Sequence, residues 1–341
     1  MAIIEVERLE KRYGERAVVD GVSFAVEEGE IFGILGPNGA GKTTTVECLE
    51  GLRSRDGGEI RVAGIDPQHN GGELPHVLGV QLQESELPER LTVGEAMSLY
   101  SGFYRAPVDW RGLIDELGLS ASITTQFRRL SGGQKQRLFI ALALVGGPRV
   151  AVLDELTTGL DPQARRDTWD LIESVRDRGV TVLMVTHFME EAQRLCDRLA
   201  VIDAGAVVAL DTPAGVVARH SGPPRLRFRP SAPVPWTTLE NLPGVRSIEA
   251  TGDQIAITGH TNGHPQSNQH QNQHRHQHRN QHRDEHGHEH RDEHRDEPIV
   301  QSVMTALSAS GVTAWDLHVD QPTLDDAFLA LTGQDLVEGT L

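Results

Sequence analysis

Residues 31–43 read IFGILGPNGAGKT: an apolar run, Ile31–Leu35, then a glycine-bearing turn closed by Lys42 and Thr43, with TTVECLE following as a helix-forming stretch. The spacing is GxxxxGK[ST], and its context between a β-rich run and a helix is the one that gives the pattern chemical meaning. Glycines at 36, 39 and 41 let successive backbone N–H groups turn inward around a phosphate, and the helix adds the positive end of its dipole. The cradle therefore comprises Gly36, Pro37, Asn38, Gly39, Ala40, Gly41, Lys42, Thr43 and Thr44. Lys42 is expected to bridge the β- and γ-phosphates of a nucleoside triphosphate, and the Thr43 hydroxyl to ligate Mg²⁺.

Working outward, short apolar runs alternate with helix-patterned segments up to about residue 220, the habit of a parallel sheet flanked by helices. Strands are expected at Ile31–Leu35, Val150–Leu153, Val180–Val185 and Leu199–Ile202. Each is followed by a polar loop, and open α/β sheets carry their ligands at the carboxyl ends of strands. Residues 92–145 read as a mostly helical insertion. The proline-rich stretch SGPPRLRFRPSAPVPW at 221–236 marks a boundary between a first domain, 1–220, and a smaller α+β domain, 224–341. In the latter, strands are expected at Leu226–Arg229, Val245–Ala250, Gln254–Thr258 and Thr313–Val319, a helix at Ile299–Ser308 and a closing helix at Thr323–Leu331.

The chain has 341 residues and a formal net charge of -17, which argues against a nucleic-acid-binding surface, since phosphate backbones are held by concentrated positive charge. Two cysteines, Cys48 and Cys196, are too few for a disulfide framework and read as buried structural thiols. No apolar segment of signal-peptide length opens the chain, and the longest apolar runs, such as Leu138–Val145, fall short of a membrane span.

A phosphate loop alone leaves GTPases, kinases and many ATPases open. VAVLDE at 150–155 narrows the choice: an apolar strand ending in Asp154 brings a carboxylate to the Mg²⁺ shell, and Glu155 stands where a general base would polarise water. An ordinary buried strand ending in solvated acids is the bland account. LSGGQ at 130–134 decides, because it runs directly into KQRLFIALAL and offers Ser131, Gly132, Gly133 and Gln134 as a second anion site at a helix N-terminus.

On these residues the sequence resembles the ABC ATPase family. The resemblance implies an α/β P-loop NTPase fold with a parallel sheet core, an N-terminal antiparallel β part and a helical subdomain, and ATP with Mg²⁺ as ligands. It also implies a head-to-tail homodimer, in which Ser131 and its glycines cover the γ-phosphate of ATP held by the other copy. Further matches follow in order. Tyr13, in KRYGE, takes the place of the adenine-stacking aromatic. Gln83 stands eight positions before Leu91 of the LTV run, as the family's Mg²⁺-reaching glutamine does; Gln81 does not. Asp161, in GLDP, and His187, in VTHFMEEA, match the D-loop and H-loop. One departure is Leu156, where the family usually has proline.

The ending DLHVDQPTLDDAFLALTG at 316–333 resembles that of daunorubicin-resistance-type ATP-binding subunits. This implies a separate ABC-2 type transmembrane partner, a peripheral position on the cytoplasmic face of the membrane, and export of drugs, lipids or similar amphipathic cargo. The spacing of Leu324, Phe328 and Leu331 also suits any helix packing on a small core. A soluble ABC ATPase acting on ribosomes or DNA, and an importer ATPase, stay open as other classes.

Residues 260–297 hold eleven of the sixteen histidines in NQH and HRDEH units and are expected to be disordered. His274, His276 and His278, and again His286, His288 and His290, alternate so that each trio could face one zinc, nickel or copper ion. A repeat-expanded solvated loop is the plainer account, with weak divalent metal binding or pH sensing as the alternative.

Overall fold

The computed structural model describes residues 1–81, 86–234, 236–259 and 299–333. It separates into two compact units, one formed by Met1–Ser221 together with the chain from Leu324, the other by Gly222–Thr323.

The first unit is built on a six-stranded sheet. In spatial order its strands are Leu78–Gln81, Val150–Asp154, Thr181–Val185, Ile31–Leu35, Arg198–Asp203 and Ala206–Asp211. The first five run parallel and the last is antiparallel. The central strands are continuous apolar runs because both faces are covered. Along Val150–Asp154, Val150 and Val152 enter one core while Ala151 and Leu153 enter the other. The first core is closed by a three-stranded antiparallel sheet, Arg16–Glu27, Ala2–Tyr13 and Gly57–Val62, together with the helix Lys42–Leu49. The second is covered by helices, among them Val93–Ser101, Trp110–Glu116, Gly132–Leu144 and Pro162–Asp177. The expected class, a P-loop α/β fold with an antiparallel β part and a helical segment, is the one observed.

Register fixes where the chemistry emerges. Ile34 pairs with Val185, and Val185 pairs with Asp154, so three neighbouring strands end at one level. The loops that leave them begin at Gly36, Glu155 and Thr186.

One expectation is overturned. The helix Leu324–Thr332 belongs with the first unit rather than closing the second. Its apolar stripe, Leu324, Ala327 and Phe328, is buried in the helix-covered core of the first unit, against the helices Pro213–His220 and Met189–Leu195. The stripe needed an apolar partner, and the first unit supplies it.

The second unit is a four-stranded antiparallel sheet with the order Val245–Thr251, Gln254–Gly259, Arg225–Pro230, Ala314–Asp320. The helices Trp236–Glu240 and Ile299–Ala309 accompany it, over a core of Leu226, Phe228, Leu239, Ile255, Ile257, Val303, Leu307 and Val312. The histidine-rich insertion, 260–297, lies outside the described residues.

Candidate functional site

The turn after Ile31–Leu35 is glycine-bound for steric reasons. A Cβ on Gly36 would stand 2.1 Å from the Ile202 carbonyl oxygen, and one on Gly41 2.6 Å from that of Val18, with Gly41 at φ +103°. Only glycine allows that approach and that conformation together. Gly41 then caps the helix Lys42–Leu49 without a side chain, leaving the first-turn amides to bind an anion. Thr43 is exposed at that turn and Thr44 half-buried.

Lys42 is 6% exposed, and its ammonium donates to the carbonyls of Gly36 at 2.7 Å and Pro37 at 3.0 Å. Burial pulls its pKa down, opposed by the nearby charges of Glu155 and Asp154. The lysine is thus folded back onto its own loop, a contact that a phosphate would compete for.

Asp154 ends its strand 8% exposed, and its carboxyl is pushed up to about 6, first by burial and then by Glu155. Glu50, at the end of the helix Lys42–Leu49, is pushed further, to about 8, by burial and then by Asp154 and Glu47. Asp154 and Glu155 both act on this one lysine, and Glu47 adds a further negative charge on Asp154, so the site is short of positive charge. A hard, oxygen-seeking cation such as Mg²⁺ fits that donor set, with Thr43 adding a hydroxyl.

Glu155 adopts φ +48°, the left-handed region that non-glycine residues rarely enter. Its N–H donates to the Val185 carbonyl at 3.0 Å, and its Oε1 lies 3.3 Å from His187 Nδ1. The following Leu156 is buried in the helix-covered core, so an apolar anchor stands where the resemblance led one to expect proline.

Ser131 caps the helix Gly132–Leu144 in a capping box: its hydroxyl accepts from Gln134 N–H at 3.3 Å while Gln134 Oε1 accepts from Ser131 N–H at 2.9 Å. Gln134 also donates to the Ser122 hydroxyl at 3.1 Å. Asp161 caps the helix Pro162–Asp177, accepting from Gln163 and Ala164 N–H at 3.0 Å each. Tyr13 ends its strand 44% exposed, with the Arg53 guanidinium 5.4 Å from its ring centroid. Gln83 lies outside the described residues. Cys48 and Cys196 are buried free thiols, both pushed up by burial.

The fold thus gathers Lys42, Asp154, Glu155 and His187 at adjacent strand ends, and sets Ser131–Gln134 and Asp161 at two helix N-termini. Sequence reading passed over two neighbours of this site. Gln81, set aside above, is buried and accepts from the Asp154 backbone N–H at 3.2 Å. Its signal was positional, since it pairs with Leu153 on the adjoining strand. Glu50 carried no motif.

Residues 19–158 match the family described as "ABC transporter". The chain is 41% identical over 225 residues to Nod factor export ATP-binding protein I of Ralstonia nicotianae, covering 64% of this chain and 70% of that protein. The protein of the same name from Rhizobium etli is 36% identical over 266 residues, covering 76% and 82%. Among solved structures, cbiO1 from Clostridium perfringens, part of the ABC transporter complex cbiONQ, is similar with a TM-score of 0.59 at 28% identity, over 64% of this chain and 91% of that one. A nucleotide-free ATP-binding cassette from an ABC transporter gives 0.56 at 27% identity, over 62% and 91%.

Proposed function

This chain belongs to the ABC transporter family as an ATP-binding subunit, and on that premise we propose that it drives an exporter whose membrane path lies in a separate chain of the ABC-2 type. ATP hydrolysis coupled to transport is the family's activity. Among the described residues no helix is long and apolar enough to cross a membrane, which suits a motor docked on the cytoplasmic face. Export draws support from relatives named for Nod factor export. The daunorubicin-resistance-like ending LDDAFLALTG at 324–333 favours drugs, lipids or similar amphipathic compounds as cargo.

In this reading the backbone from Gly36 to Thr44 cradles the phosphates of ATP, and Lys42 exchanges its own loop's carbonyls for β- and γ-phosphate oxygens. Tyr13 stacks on adenine. Glu155 accepts a proton from the attacking water, and His187 holds the γ-phosphate while steadying Glu155. Ser131, Gly132, Gly133 and Gln134 of one copy close over the γ-phosphate bound by the other, and Asp161 meets the other copy's phosphate loop across the same interface. Mg²⁺, when bound, would be held by Thr43 and Asp154, with Gln83 assigned to it by the resemblance alone, and would supply neutralising charge to the phosphates. Weak divalent metal binding by the histidine trios is a secondary reading that rests on their spacing alone.

The observation that carries the hydrolytic assignment is the 3.3 Å approach of Glu155 and His187 beside Lys42 and Asp154. Glu155→Gln should keep nucleotide affinity, abolish turnover and accumulate an ATP-bound dimer on size-exclusion chromatography; unchanged turnover would remove Glu155 from its role.

A further inference from the structure

The turn that carries His187 is fastened to a buried carboxyl outside the site. Of the neighbouring Glu190 and Glu191, the first is exposed, whereas Glu191 is 1% exposed, turned inward from the helix Met189–Leu195. Trp169 Nε1, from the helix Pro162–Asp177, donates to Glu191 Oε1 at 3.1 Å. The Thr186 hydroxyl donates to Oε2, and the same hydroxyl oxygen accepts from Phe188 N–H at 3.0 Å. Both sequence neighbours of His187 are therefore fastened, through one oxygen, to Glu191.

The loop that follows Glu155 passes near the same carboxyl. Thr157, two residues on, is fully buried, and its hydroxyl makes no hydrogen bond of good geometry, though it lies near enough to help hold the Glu191 pKa down. Burial pushes that pKa up more strongly, with Thr186, Thr157, Trp169 and the charge of Arg165 acting against it. Arg165 also covers the Phe188 ring at 4.5 Å, and that ring lies 4.1 Å from the His187 ring. A buried carboxyl is costly unless donors surround it, and an apolar side chain would fill the same space more cheaply. What the carboxyl adds is an anchor that ties the Thr186–Phe188 turn to the helix Pro162–Asp177.

We propose that Glu191 is a positioning residue for ATP hydrolysis, holding the Thr186–Phe188 turn against the helix Pro162–Asp177 so that His187 meets Glu155. This rests on the assignment of Glu155 and His187 to hydrolysis. Glu191 touches no substrate; it acts through His187.

The test uses the purified full chain, with steady-state ATPase rates in Mg²⁺ and a thermal melt for each variant. Thr186→Val keeps the shape and removes the bridging hydroxyl. Glu191→Ala removes the anchor. Glu191→Gln keeps an acceptor for Trp169 and offers an amide N–H to the Thr186 oxygen. Thr186→Val and Glu191→Ala should lower kcat on the order of 10- to 100-fold, the penalty of a displaced catalytic group, with KM for ATP moving less than about twofold. Glu191→Gln should recover most of the rate. In a His187→Ala background, Thr186→Val should lower kcat no further. An equal drop with and without His187, or a wild-type kcat in Thr186→Val, would overturn the proposal. Should Glu191→Ala fail to fold, the Thr186→Val and Glu191→Gln pair decides. Unchanged turnover in His187→Ala itself would instead sink the hydrolytic assignment.

Discussion

Replacing Asp154 with asparagine should make the nucleotide-free protein more stable while disabling it. The carboxyl is raised from 3.8 to about 6 by burial and by Glu155. A pKa raised on folding means that the folded state binds the proton more tightly than the unfolded state. The ionised group is therefore a liability that is absent below about pH 4, grows as pH rises from there, and is complete above about pH 6. The rise corresponds to about 3 kcal/mol at neutral pH, an upper figure because water relaxes around the charge. Asparagine keeps the shape and carries no charge, so in Asp154→Asn the melting temperature at pH 7.5 should rise by up to roughly 6–12 °C for a unit of this size. The gain should shrink as pH falls through 6 and vanish near 4. Differential scanning fluorimetry without nucleotide, repeated across that range, reads it directly. An asparagine variant no more stable than wild type at pH 7.5, or a gain that does not depend on pH, would refute the reasoning. The same variant should lose Mg²⁺-dependent ATP hydrolysis, because the charge that burdens the nucleotide-free protein is the one a dication would use.

Two further outcomes follow from packing. Phe328 is 2% exposed in the first unit's core, so Phe328→Ala should cost about 3–5 kcal/mol and lower the melting transition that ATP protects; a shift confined to a transition that ATP leaves alone would return the helix to the second unit. Ser131→Ala removes one half of a capping box and should cost about 1 kcal/mol with ATP binding by the single chain intact and ATPase turnover reduced, measured by equilibrium nucleotide titration beside steady-state rates.

Much of the first unit was legible because its central strands are buried on both faces. Ile31–Leu35 and Val150–Leu153 are unbroken apolar runs for that reason, and the polar residues that follow them stand out. Lys42, the Asp154–Glu155 pair and His187 are far apart along the chain, yet their motifs each sit at a strand end, which is why reading them singly anticipated their meeting. The closing helix was harder. The stripe of Leu324, Ala327 and Phe328 declares an apolar face but says nothing of which core will receive it. Gln81 and Glu50 owe their interest to burial beside Asp154, and burial of a polar side chain is set by tertiary packing. Glu190 and Glu191 are chemically identical, and only the phase of the helix Met189–Leu195 separates the exposed one from the anchored one.

The return of Leu324–Thr332 to the first unit has a bearing on synthesis. Between Ser221 and Leu324 the ribosome must make the whole of Gly222–Thr323, which at 5–20 residues per second takes about 5–20 s. Throughout that interval the helix-covered core waits with one wall missing, its apolar floor open around the helices Pro213–His220 and Met189–Leu195. A nascent chain stalled there would keep that apolar surface exposed until Leu324–Thr332 is made.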